Sequence, residues 1–228
     1  MKENIEHRSF VSTQEFQFRA LEEDGTRFIE GYAATFDTRS KLMPDNGRVF
    51  YEEIRQGAFT EALEREDLDV FLTLNHSKDK VMARTVNNTL TLTEDDKGLY
   101  FRAEIVPVSY AEDTWELVRN GTLFENSFGM LVLKKDVTFT RTEDGTPLRI
   151  INKVTRLVDV SVVTNASYPN TEVLARQLEE FEREEAEAEV ETETEEVKEE
   201  VVEKEVEDLE IDEVTDDEIE KLKMKIKI

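Results

Sequence analysis

The chain has 228 residues, no cysteine and a formal net charge of −25. That length holds one ordinary domain plus an appendage, and the absence of cysteine excludes a disulfide framework and a thiolate metal site. The acidic balance argues against direct nucleic-acid binding, which needs a basic face, and is compatible with a basic protein partner.

No apolar run approaches the roughly 18 residues that a membrane span needs. The first six residues, Met1-Lys2-Glu3-Asn4-Ile5-Glu6, lack the apolar core of a signal peptide. A soluble cytoplasmic protein is the expectation. The charge is unevenly placed. Gln177 to Ile228 carries 24 acidic and 7 basic residues, a net of −17, which leaves −8 for residues 1–176. The expected division is a folded domain over 1–176 and an acidic tail over 177–228.

Phe10 to Phe18 reads as a first strand. Glu22-Glu23-Asp24-Gly25 is a turn signal, and Phe28 to Phe36 is a second strand, so the two resemble a hairpin. Gly31 within it suggests a bulge or a close backbone approach. Asp37 to Arg48 is polar and reads as a loop. Val49 to Ile54 is a short strand, and Thr60 to Arg65 is helical with Thr60 as N-cap. Asp69 to Leu74 is a strand that delivers His76 at a polar turn. Val81–Val86 and Leu90–Thr93 read as paired strands around Asn87-Asn88. Leu99 to Ile105 is another strand.

Tyr110 to Asn120 has helical spacing, with Ala111, Trp115 and Val118 on one face and Gly121 as its stop. Leu123 to Met130, Leu-Phe-Glu-Asn-Ser-Phe-Gly-Met, opens an apolar strand that continues to Leu133 and contains Ser127. Asp136–Thr142 and Leu148–Asn152 read as a hairpin, and Thr155 to Thr164 as the last strand. Asn165 to Thr171 is a loop. After Gln177 there is no Gly or Pro, and the Glu-rich repeats favour helix or disorder. The terminal Lys221 to Ile228 alternates as an exposed strand would. Many short strands with Gly turns and a few helices give an α+β class, a mixed β-barrel or strongly bent sheet.

Three residues stand out. Ser127 interrupts an apolar strand, as a satisfied core hydroxyl or as a nucleophile that needs a base within hydrogen-bond reach. His76 ends a strand, as a surface residue or as that base. The other histidine, His7, lies in a polar N-terminal segment. Asp159 interrupts Leu157-Val158-Asp159-Val160-Ser161-Val162-Val163. By alternation it shares a face with Ser161, opposite Val158, Val160 and Val162, and it either faces solvent or is buried with a partner. Together the three make a coherent set: serine attacks, histidine takes and returns the proton, and a carboxylate holds the imidazole tautomer. Gly129 permits the close approach that an oxyanion hole near Ser127 requires.

The chain resembles the prohead (capsid maturation) serine proteases of tailed bacteriophages, themselves distantly similar to herpesvirus assemblins. The resemblance covers roughly Phe28 to Thr171. It is carried by Gly31-Tyr32-Ala33-Ala34-Thr35-Phe36, Gly57-Ala58-Phe59, Leu74-Asn75-His76, Gly98-Leu99-Tyr100-Phe101, Asn126-Ser127-Phe128-Gly129-Met130 and Asp159-Val160-Ser161-Val162-Val163-Thr164. It implies a herpesvirus-protease-like fold, with His76 as base and Ser127 as nucleophile. Related sequences often carry Glu where Asp159 stands, and the herpesvirus enzymes use a second histidine. This chain has none after Ser127, so Asp159 is the candidate third member. Ala166-Ser167-Tyr168-Pro169 departs from the commoner Pro-Ala-Asn-Pro form.

The function implied is a serine endopeptidase that cleaves the scaffold, or the scaffolding region of the major capsid protein, and itself. It would work inside the prohead in the host cytoplasm. It needs no metal and no cofactor, and self-association is compatible with it. The rival from another class is a non-catalytic acidic scaffolding or assembly protein, or a protease–scaffold fusion. A third reading is an idle protease-like fold with His76 and Ser127 far apart.

Overall fold

The computed structural model describes residues 5–11, 18–45, 48–164 and 177–187. The chain divides into two units, Met1–Ala175 and Arg176–Ile228. Among the described residues the first unit carries thirteen strands in three sheets and two α-helices. In the second, residues 177–187 are helical. The rest of the acidic tail, including the expected strand at 221–228, lies outside the described residues, as does the expected loop at 165–171.

The strands, in chain order, are β1 (Glu6–Val11), β2 (Arg19–Glu23), β3 (Thr26–Thr35), β4 (Met43–Asp45), β5 (Arg48–Ile54), β6 (Phe71–Leu74) and β7 (Ser77–Arg84), followed by β8 (Leu90–Glu94), β9 (Gly98–Glu104), β10 (Glu125–Leu131), β11 (Val137–Arg141), β12 (Pro147–Ile151) and β13 (Arg156–Val163). The helices are α1 (Thr60–Leu63) and α2 (Ser109–Arg119). The first sheet runs β1-β10-β13-β6-β7, the second β11-β12-β5-β4 and the third β2-β3-β9-β8. The β13–β6 and β12–β5 pairs are parallel, and the others are antiparallel.

The expected barrel is corrected by this topology. Each sheet keeps two edge strands, and no closed barrel exists among the described residues. Closure would require every edge to find a partner.

Several pairings also differ from the sequence reading. The N-terminal hairpin is β2–β3, turning at Asp24-Gly25, where both residues have positive φ. Of the strand expected over Phe10–Phe18, Phe10 and Val11 belong to β1, which pairs with β10 across more than a hundred residues of sequence, and residues 12–17 lie outside the described residues. The expected pairing of Val81–Val86 with Leu90–Thr93 is not formed. β7 pairs with β6, and β8 with β9. The loop expected over Asp37–Arg48 contains the short edge strand β4. Thr60 is not an N-cap: its hydroxyl donates to Glu94 Oε2 at 2.7 Å, and Phe59 holds the cap position of a four-residue helix. The bulge near Gly31 falls between Tyr32 and Ala34.

The helix expected over Tyr110–Asn120 is α2, and Ala111, Trp115 and Val118 are buried on its inner face. Gly121 follows with φ of 77°. The core is continuous through the first unit and includes Ile29, Phe59, Leu72, Phe101, Phe128, Val160 and Val162.

Candidate active site

The centre of the first sheet positions the site, and the two-residue period of strands explains how. On β10, Phe128 and Met130 enter the core, with the Phe128 ring 5.8 Å from Phe59 in an edge-on arrangement. Ser127 and Gly129 therefore face the other side. On β13, Val160 and Val162 enter the core, while Asp159 and Ser161 share the face of Ser127. The register sets two rows across the sheet. One contains Ser9, Ser127, Ser161 and Thr73, and the other His7, Gly129, Asp159 and Phe71. The open choice for Asp159 resolves to burial: it is 7% exposed and Ser161 is fully buried.

His76 reaches these rows from a tight turn. Asn75 and His76 form the two-residue loop between β6 and β7, with φ of 52° and 55°. Two consecutive positive φ values are the mark of the type I′ hairpin turn, which Asn suits and His tolerates at a cost. The turn is held from β13. Asn75 N–H donates to Val162 O at 2.8 Å, Asn75 Oδ1 accepts from Thr164 N–H at 3.0 Å, and His76 N–H donates to Ser161 Oγ at 2.8 Å.

The imidazole then lies between the other two candidates. His76 Nε2 is 2.9 Å from Ser127 Oγ, and His76 Nδ1 is 2.7 Å from Asp159 Oδ2. Both distances are within normal hydrogen-bond range. The structure thus brings together all three residues singled out in the sequence, in the order hydroxyl, imidazole, carboxylate. Beneath them Thr73 Oγ1 lies 3.3 Å from Asp159 Oδ2 and 3.1 Å from Ser161 Oγ.

His7 was not anticipated there. Its ring centroid is 4.0 Å from that of His76, and its Nδ1 is 3.9 Å from Asp159 Oδ1. Burial holds its imidazole below the ordinary value, and the His76 ring adds to this while the Asp159 carboxylate opposes it. Glu6 and Arg8, which flank it, point to the opposite side and anchor β1. Arg8 bonds Glu52 through Nε at 2.5 Å and Nη2 at 2.9 Å, and it bonds Glu6 at 2.5 Å. Arg149 bonds Glu6 at 2.7 Å and Glu52 at 2.6 Å. All four side chains are buried, and their two positive and two negative charges balance. Alternation of buried charges on Glu6-His7-Arg8 leaves no apolar pattern to read, so neither β1's place nor His7's role was visible in the sequence. Ser161 and Thr73 were equally hidden, since their value depends on the parallel β13–β6 register.

A strand-borne serine, a turn-borne histidine and a buried aspartate lie in one hydrogen-bonded line, the order of groups found in a serine–histidine–aspartate triad. Comparison with known proteins gives the family. Residues 14–184 match the family model of the caudovirus prohead serine protease, and the chain belongs to that family. It is 32% identical over 166 residues to a prohead protease of Enterobacteria phage HK97, an alignment covering 72% of this chain and 65% of that relative's length. The capsid assembly protease of bacteriophage T4 is a structural neighbour with a TM-score of 0.46 and 12% identity, covering 70% of this chain and 97% of that one. Among the described residues no helix is long and apolar enough to cross a membrane.

Proposed function

We propose that the chain is a serine endopeptidase of capsid maturation. Ser127 is its nucleophile, His76 its general base and then acid, and Asp159 the group that fixes and stabilises the imidazole. The observation that carries this reading is His76 bridging Ser127 Oγ and Asp159 Oδ2 at 2.9 and 2.7 Å. With the Nδ1 proton donated to Asp159, the Nε2 lone pair faces the serine hydroxyl. It accepts that proton as Oγ attacks a peptide carbonyl, and returns it to the leaving amine. The carboxylate then faces an imidazolium across a short bond, which stabilises the charge formed on the way.

The family match and the prohead protease relative support the substrates: a scaffold protein, or the scaffolding region of the major capsid protein, and the chain itself. The site of action would be the inside of the prohead in the host cytoplasm. The acidic segment from residue 177, net −17, cannot build a packed core of its own. It acts in this reading as an appendage that docks on a basic surface during assembly. The test is co-expression with the cognate major capsid protein, with and without Ser127→Ala, followed by intact mass. Processing that depends on Ser127 is expected. Equal processing with the alanine variant would remove the serine-protease reading, and no processing with either would favour the scaffolding alternative.

A further inference from the structure

We infer that His7, His76 and Asp159 form a binding site for a divalent transition-metal cation of the zinc type, and that the cation switches the triad off. One ligand atom from each residue lies within 4.8 Å of the others. Two of those groups carry unused capacity. His7 Nδ1 and Asp159 Oδ1 are buried, make no hydrogen bond, and face each other at 3.9 Å. That is too long for a direct bond. The Asp159 side chain is only 9% exposed, and an unsatisfied carboxylate oxygen at such a place is costly.

The donor set sets the class of cation. Two imidazole nitrogens and one carboxylate oxygen suit zinc and its neighbours. Magnesium and calcium prefer shells of oxygen. Tetrahedral ligation with bonds of about 2.0–2.2 Å holds ligand atoms about 3.3–3.6 Å apart, so His7 Nδ1 and Asp159 Oδ1, now 3.9 Å apart, must close by small side-chain torsions, and the 2.7 Å His76–Asp159 hydrogen bond must open. Gly129 leaves room for this, since it lies directly between His7 and Asp159 in the sheet register and carries no side chain.

The inhibitory consequence follows from the imidazole's single proton. A cation on His76 Nδ1 requires the lone pair there, so in the neutral ring the proton moves to Nε2. Nε2 then donates to Ser127 Oγ and can no longer accept from it. The cation also takes the carboxylate that orients the ring. The only covalent change is the exchange of one imidazole N–H bond for the other, the Nδ1 proton passing to solvent and Nε2 taking one from it, and removal of the cation restores the starting tautomer.

Binding stands on the geometry alone, whereas inhibition rests on the protease reading, and the experiment separates them. Full-length Ser127→Ala protein is titrated with ZnCl2, and in parallel with MgCl2, by calorimetry. One zinc equivalent is expected above the weak background of the acidic tail, with no matching magnesium site. Adding His7→Ala, His7→Gln or His76→Ala should weaken that zinc site by roughly 10-fold or more, with circular dichroism and thermal unfolding showing which variants remain folded. A zinc isotherm unchanged in every folded variant, or no zinc site in the parent, would overturn the site. In the active chain, ZnCl2 should inhibit peptide cleavage and EDTA should restore it. The His7 variants should need roughly 10-fold more zinc for half-inhibition, each measured against its own metal-free rate. Zinc bound at the site without loss of cleavage would overturn the switch and leave the site standing.

Discussion

Gly129 is the direct antiparallel partner of Asp159, and a Cβ at position 129 would overlap Asp159 Oδ1 and lie 3.1 Å from His7 Cε1. The backbone there has no positive φ to demand glycine; the space above it does. Gly129→Ala should therefore rotate the carboxylate away from His76 while leaving the strand paired. The expected result is a fall in kcat of about 100-fold, the scale of a misplaced catalytic group, with little change in thermal stability. A variant with full activity would show that the 2.7 Å His76–Asp159 bond is not needed.

Ser127→Ala and His76→Ala should each abolish cleavage of a peptide substrate. Asp159→Asn should leave more activity than either, because an orienting group contributes less than the nucleophile or base. Initial rates on one fluorogenic peptide, with circular dichroism as the control for folding, check the order. Asp159→Asn as inactive as Ser127→Ala would give the carboxylate a larger part than orientation.

The candidate site was legible because its parts announce themselves locally. Ser127 and Asp159 each break an apolar run, and His76 ends one, so strand period and turn chemistry marked all three as residues needing an explanation, and the family resemblance supplied the roles of base and nucleophile. The hairpin β11–β12 was legible for the same reason, since a turn signal lies between its strands, whereas the strand at Leu90–Thr93 was given the wrong partner. What was hidden is non-local. β1 pairs with β10 although nothing near Glu6–Val11 names its partner, and its seat depends on buried charges that read as surface. The parallel pairs β13–β6 and β12–β5 likewise join segments with no connecting turn. For that reason the sheet order, and with it His7 beside the triad, could not be read in advance.

His76 holds a backbone conformation with φ of 55°, which a glycine adopts without cost and a side-chain-bearing residue does not. His76→Gly and His76→Ala remove the same imidazole, and both should be inactive. His76→Gly should nevertheless be the more stable of the two by about 1 kcal/mol, the cost of the left-handed region. Urea midpoints of the two variants test this. Equal midpoints would show that the turn relaxes when the imidazole is lost.

The family match ends at residue 184, inside the helical segment 177–187. A chain ending after Glu187 should therefore fold and cleave a peptide, while entering proheads less well than the full chain, because on the proposed docking role residues 188–228 carry the docking charge. Co-purification of the full chain with assembled shells should fall as salt is raised, since exposed charges separated by more than about 8 Å are screened at physiological ionic strength. Packaging equal to that of the full chain would rule out a docking role for residues 188–228.

The buried quartet of Glu6, Arg8, Glu52 and Arg149 gives the fold an acid limit. Burial alone would raise the Glu52 carboxyl, but the Arg8 and Arg149 guanidiniums outweigh it and hold the group below its ordinary value. A carboxyl depressed in the folded state contributes stability that is present above the unfolded value, about 4.3 for glutamate. That contribution is lost as pH falls through the lower, folded value. Glu52→Gln removes it at every pH and leaves two buried guanidiniums against one carboxylate, which should cost about 3–5 kcal/mol at pH 7. The gap between wild type and variant should then narrow as both are taken below about pH 4.3, where only the wild type still has this charge to lose. Urea unfolding of both proteins between pH 7 and pH 3 measures the gap directly. A difference that stays constant across that range would mean that Glu52 acts through packing and hydrogen bonds rather than through its charge.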